Sequence, residues 1–187
     1  MPFAYYRRLS RRGQATYRRS DEITALAVPG AEALHPAVDA LREALAAEEG
    51  EAVARAAFGV VAGLCRALGV APPALQIHAV RPRGATHELH GLYEPEPEDG
   101  GPPRIHVWMR TARQGRVVAF RTFLRTLLHE LCHHLDFDVL GLDRSFHTEG
   151  FFRRESSLMR QLAPAARRPA QRPLPLPPGE SPSGRRR

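Results

Sequence analysis

The segment LLHELCHHLDFDVLGLDRSFHTEGFF, Leu127 to Phe152, holds four of the chain's nine histidines, which makes it the first place to look for chemistry. His129-Glu130-Leu131-Cys132-His133 is an H-E-x-x-H pattern. Four residues of α-helix advance about 400°, so the two imidazoles emerge from one face, one turn apart, as two ligands of a tetrahedral metal ion must. Glu130 stands beside them, placed to take a proton from a metal-activated water without being a ligand itself. That is the donor set of a metal-assisted hydrolase.

A catalytic zinc takes a third protein ligand and leaves its fourth position to water. His147, fourteen residues after His133 and beyond a loop containing Gly141, is the best placed, with Glu149 and Glu155 as rivals from the following segment. Outside the ligand set, Glu155 reads as a surface or capping carboxylate meeting an arginine. Glu149 reads as a first-turn acid favoured by the helix dipole. His134 is rotated about 100° from His133 and is expected to face solvent. Asp136 is either a carboxylate that hydrogen-bonds a ligand imidazole or a plain solvated acid. Three-histidine ligation makes Zn²⁺, one per chain, the expected cofactor.

The segment resembles the active-site region of SprT-like zinc metalloproteases and of their relatives, the YgjP-like peptidases. In those proteins H-E-x-x-H is followed, after a loop, by a histidine with an aromatic residue four positions on; here the matching residues are His129, Glu130, His133, His147 and Phe151. The likeness covers roughly Ile105 to Leu162. It implies a zincin-like fold and a peptidase in which His129, His133 and His147 bind zinc and Glu130 is the general base. Two features depart from the family pattern: Thr148 stands where a glycine commonly follows the third histidine, and these 187 residues contain no C-x-x-C pair, so the zinc ribbon that many members carry is not expected within them.

These residues need a scaffold. Val117, Phe120, Phe123, Leu124, Leu127, Leu128, Leu131 and Leu135 form a broad apolar stripe, predicting a helix from Val117 to about Leu140 that carries the motif. A further helix is expected from TEGFFRRESSLMRQL. Upstream, apolar spacing predicts two helices parted near Gly50, the second ending at Gly69 before Pro72-Pro73. Ser20-Asp21-Glu22 reads as the start of an element that turns at Pro29-Gly30. ALQIHAV reads as a strand, and THELHGLYEPEPEDGGPPRIHVWMRT as two more around an acidic, proline-rich connection. His87 and His90 fall on opposite strand faces and read as surface residues. Along Ile105 to Arg110, Ile105, Val107 and Met109 alternate with His106, Trp108 and Arg110. That strand is expected to offer an edge to an extended substrate, with Trp108 flooring a side-chain pocket or simply packing. The fold class is α+β, helices on a small antiparallel or mixed sheet.

Composition sets the outer limits. All 27 basic residues are arginines, against 20 acidic residues. Residues 1–20 hold six arginines and no acid, and residues 164–187 six arginines against Glu180. The expected organisation is a basic arm over 1–22, a metallopeptidase domain over 23–163 and a disordered Pro/Arg-rich tail over 164–187, whose RPLPLPP suits a polyproline ligand. Basic ends attract nucleic acid by counterion release. A nucleic-acid-associated binding protein with a structural or vestigial zinc site is therefore the alternative to a peptidase acting on protein or peptide substrates. Cys65 and Cys132 lack a C-x-x-C partner and read as buried free thiols in a reducing compartment, here the cytoplasm. The longest apolar run, Ala56 to Cys65, is too short to span a bilayer, so no membrane partner is expected.

Overall fold

The computed structural model describes residues 3–80 and 90–164. His87 and the proline-rich tail beyond Pro164 lie outside the described residues. The elements are α1 (Arg11–Glu22), α2 (His35–Ala46), α3 (Gly50–Leu68), β1 (Ala74–Val80), β2 (Gly91–Glu94), β3 (Arg104–Arg110), α4 (Phe120–Asp138) and α5 (Glu149–Leu162), with short 3₁₀ turns at Ala4–Arg8 and Ala31–Leu34. This is an α+β arrangement with a three-stranded mixed sheet.

Helix boundaries follow from local chemistry. Ser10 caps α1 by accepting the Gly13 amide. α3 ends where Gly69 takes φ +74°, a left-handed turn that lets Val70 N–H reach the Cys65 carbonyl. Thr148 caps α5, its hydroxyl accepting from Phe151 N–H at 3.0 Å. Thr148, at the position where SprT-like proteins commonly carry a glycine, starts the helix that follows His147.

The sheet order is β1-β3-β2. β1 runs parallel to β3, with Ile77 opposite Val107, and β2 runs antiparallel to β3, with Gly91 also opposite Val107. β3 is thus the central strand. The expectation that it offers an edge to substrate is corrected: both its ladders are occupied, and the edge beside α4 belongs to β2. Ile105, Val107 and Met109 do enter the core, meeting Leu124, Leu127, Leu128 and Leu131 of α4 and Val60, Val61 and Leu64 of α3.

Two further expectations change. Residues 11–22, read as part of a basic arm, form a helix packed on α5, and Ser20-Asp21-Glu22 end that helix rather than start an element. Tyr17, 2 % exposed, anchors it between Tyr5, Tyr6 and Phe146. Gly150 permits the contact, since a Cβ there would lie 2.4 Å from the backbone oxygens of Ser20 and Asp21. No helix among the described residues is long and apolar enough to cross a membrane.

Candidate metal centre

α4 carries His129, Glu130 and His133 on the side facing β2 and the loop 139–148. That loop reverses at Gly141, φ +58°, and returns His147 to the two helical imidazoles. His147 Nε2 lies 2.9 Å from His129 Nε2 and 3.1 Å from His133 Nε2. Phe151 packs under all three rings, with centroids 4.7–5.1 Å away.

The far nitrogens decide what the near ones can do. His129 Nδ1–H donates to Glu155 Oε2 at 3.0 Å. Ser145 donates its proton to Asp136 Oδ2 at 2.7 Å, so its oxygen accepts from His133 Nδ1–H, also at 2.7 Å. Both helical histidines therefore turn an Nε2 lone pair toward His147. One proton on His147 Nε2 can satisfy one of the two contacts, whereas a cation between the rings satisfies all three. For tetrahedral ligands about 2.0–2.1 Å from zinc, donor separations of about 3.3 Å are expected; the two separations from His147 Nε2 are close to this, and all three donors lie within 4.8 Å of one another. The three histidines form a cluster that could hold a metal ion.

Burial reinforces this. Burial, helped by His129 and His147, drives the His133 pKa down to about 3, which keeps its lone pair free at neutral pH. The His147 pKa is also lowered, by burial first and then by His129. Glu130 is only 7 % exposed. Burial pushes its pKa up to about 7, against the pull of His129 and with a smaller push from Glu155.

The rivals to His147 have other tasks. Glu149 pairs with Arg153 on the surface. Glu155 is buried behind His129, between its Nδ1 and Arg125 at 2.8 Å, so the expected surface carboxylate is instead an orienting one. Asp136, expected either to hydrogen-bond an imidazole or to be a solvated acid, does neither: it is fully buried and reaches His133 only through Ser145. It is itself held by Arg154 at 2.8 Å in a fully buried ion pair. Arg154 also donates to the carbonyls of Ser20 and Ile23 and to Ser20 Oγ. The hydrogen bonds thus run from α1 to the His133 imidazole.

Two site expectations are corrected. His134 is 2 % exposed rather than solvent-facing: its Nε2–H donates to the Ala71 carbonyl at 2.9 Å, and its Nδ1 accepts from Tyr93 hydroxyl at 3.2 Å. Trp108 is not brought to the site. It stacks on His78, 5.5 Å away on the sheet face opposite the core residues of β3, and its role is packing.

The histidine cluster opens into a cavity of about 780 Å³ between β2 and α4. His90, Gly91, Tyr93, Arg121, Arg125 and Phe137 are among its walls, none of them singled out by motif. Of these, Gly91 is the one the sequence marks, since a glycine in an otherwise strand-like stretch signals close approach of another group, here Glu130. Comparison with known protein families, with curated proteins and with solved structures finds no match.

Proposed function

We propose that this chain is a zinc-dependent metallopeptidase of the zincin type, related to the SprT-like and YgjP-like enzymes. The observation that carries the reading is the convergence of three Nε2 atoms, two of them oriented by acceptors on Nδ1, in the same cavity as a buried glutamate that is not part of the cluster. The donor set suits a borderline-soft cation that prefers nitrogen ligands in tetrahedral geometry.

His129, His133 and His147 would hold Zn²⁺ through Nε2. When bound, zinc supplies Lewis acidity, acidifying a water molecule and polarising a substrate carbonyl. Glu130 accepts the proton of the attacking water on its carboxylate and returns it to the nitrogen of the leaving amine. Glu155 and Ser145 fix the ring planes and tautomers of His129 and His133, as outer hydrogen-bond partners of metal ligands commonly do. β2, the edge strand beside α4 among the described residues, aligns an extended peptide. Two buried free thiols fit a reducing, cytoplasmic setting.

Among the described residues, three of the N-terminal arginines that motivate the nucleic-acid alternative make exposed contacts within the fold, and one of these three is with an acid. Arg12 pairs with Asp143, Arg18 meets Tyr6 hydroxyl, and Arg19 meets the Leu140 carbonyl.

The test is elemental analysis of protein prepared without chelators, beside peptide hydrolysis. About one zinc per wild-type chain, weakened in His147→Ala, with hydrolysis abolished but zinc retained in Glu130→Gln, is the expected result. Well-folded wild type with no tightly bound metal refutes the reading.

A further inference from the structure

The cavity is chemically graded along its length. α4 lines it with Arg121, Arg125, His129, His133 and Phe137, residues repeating every fourth position. Sixteen residues of helix make this row about 24 Å long. The row therefore passes from two guanidiniums, through two metal-ligating imidazoles, to an aromatic ring.

The opposite wall repeats the gradient. At the Phe137 end, Tyr93 of β2 stacks on Phe137 at 6.1 Å and on His133 at 6.3 Å, and its hydroxyl is spent on His134. What faces the cavity there is ring surface. Gly91 touches Glu130 at the centre. Beyond Gly91 on the side away from Tyr93, His90 lines the cavity, while Thr122 and Thr126 of α4 flank the arginines on their own wall.

The basic end carries uncommitted charge. Arg121 is exposed and makes no ion pair among the described residues. Arg125 gives one nitrogen to Glu155 and is half-exposed, with donors to spare. The first turn of α4 adds its partial positive charge at the same end. Among the described residues, the carboxylates lining the cavity are Glu130 and Glu155, both buried at its centre and base, so neither of them neutralises Arg121.

We propose that the groove selects an extended peptide segment by its two flanks: an acidic side chain docks on Arg121 and Arg125, and an aromatic or large apolar side chain on the opposite flank packs on Tyr93 and Phe137, with the intervening backbone across Glu130 and the histidines. This rests on the peptidase reading and names its substrate class. A guanidinium recognises a carboxylate through charge-assisted, directional hydrogen bonds that an amide does not reproduce.

The test measures binding, separately from turnover. Full-length Glu130→Gln protein loaded with zinc is titrated into fluorescein-labelled, C-terminally amidated decapeptides. Each has one phenylalanine and, on one side of it at varied spacing, one Glu, Gln or Lys; fluorescence anisotropy gives the affinities. At the optimal spacing Glu is expected to bind roughly tenfold tighter than Gln. Arg121→Glu removes that advantage and favours Lys, and replacing the phenylalanine by serine weakens every member of the series. Equal affinities for Glu and Gln, a preference insensitive to Arg121→Glu, or a preference that follows a free C-terminal carboxylate instead of the side chain overturns the proposal. Acid-selective binding without cleavage by wild type sinks the peptidase reading and leaves the groove assignment standing. Cleavage without acid selectivity does the reverse.

Discussion

Gly91 and Glu130 interlock. A Cβ on Gly91 would lie 2.5 Å from Glu130 Oε1 and 2.6 Å from its Cγ, so β2 can approach α4 only because residue 91 has no side chain. Gly91 is a positioning residue: it sets where the carboxylate sits against the sheet edge while touching none of the three imidazole nitrogens.

Gly91→Ala should displace Glu130 by a substantial fraction of an ångström. Misplacement on that scale costs roughly 10²-fold in turnover. Zinc content should be unchanged, because the proposed ligands sit on α4 and the 139–148 loop. Steady-state kinetics and elemental analysis on one preparation check this; normal turnover with normal zinc would show that the glutamate needs no such clearance.

Ser145→Ala removes the acceptor for His133 Nδ1–H and the donor to Asp136. Zinc affinity is expected to fall about 10- to 100-fold, the usual effect of deleting an outer partner of a metal ligand. The residue is only half-buried, so the fold should survive. Competition with a chromophoric chelator, alongside circular dichroism, reads both quantities.

Arg154→Ala leaves Asp136 buried without its cation and strips donors from the Ser20 and Ile23 carbonyls. Breaking one side of a buried ion pair costs about 3–5 kcal/mol. Arg154→Lys should rescue little, since an ammonium cannot reproduce the fork that spans α1, α4 and α5. Urea unfolding measures the loss, and a variant as stable as wild type would show that α1 docks independently of this residue.

Zinc bound to the folded chain alone should raise the unfolding temperature, because a ligand of the native state shifts the equilibrium by mass action. A chelator should lower it in wild type and much less in His147→Ala. Scanning calorimetry decides the matter, and identical chelator shifts in both proteins would remove His147 from the ligand set.

Burial raises the Cys65 pKa from 9.0 to about 12, and Cys132 is held well above the ordinary thiol value by burial. Native protein at pH 8 should thus react slowly with thiol reagents and expose two reactive thiols on unfolding. A raised folded pKa means that the unfolded thiol ionises first. The contribution of Cys65 to stability is therefore complete below about pH 9 and is lost as pH rises toward about 12. Labelling kinetics and alkaline unfolding curves check the two halves; fast native labelling would mean that the core opens locally.

Local sequence determined the features that periodicity and backbone chemistry encode. The four-residue spacing of His129 and His133 places both on one helical face, the alternation of Ile105, Val107 and Met109 names the core side of β3, and Gly69 ends α3 because the chain there turns left-handed. Each depends on neighbours within about one turn or one pleat. The tertiary structure decided what lies across each face. His134 has the same local pattern as an exposed histidine, and only the arrival of Ala71 and Tyr93 buries it. The alternation along β3 leaves open whether Trp108 floors a pocket or packs, because strand order is a long-range property, invisible until β1 and β2 occupy both edges. Glu155 and Arg154, charged residues on an amphipathic helix, gave no local sign that one would orient His129 and the other tie α1 to Asp136. Their partners lie up to 134 residues away, and the pairing exists only once α1, α4 and α5 share a buried interface.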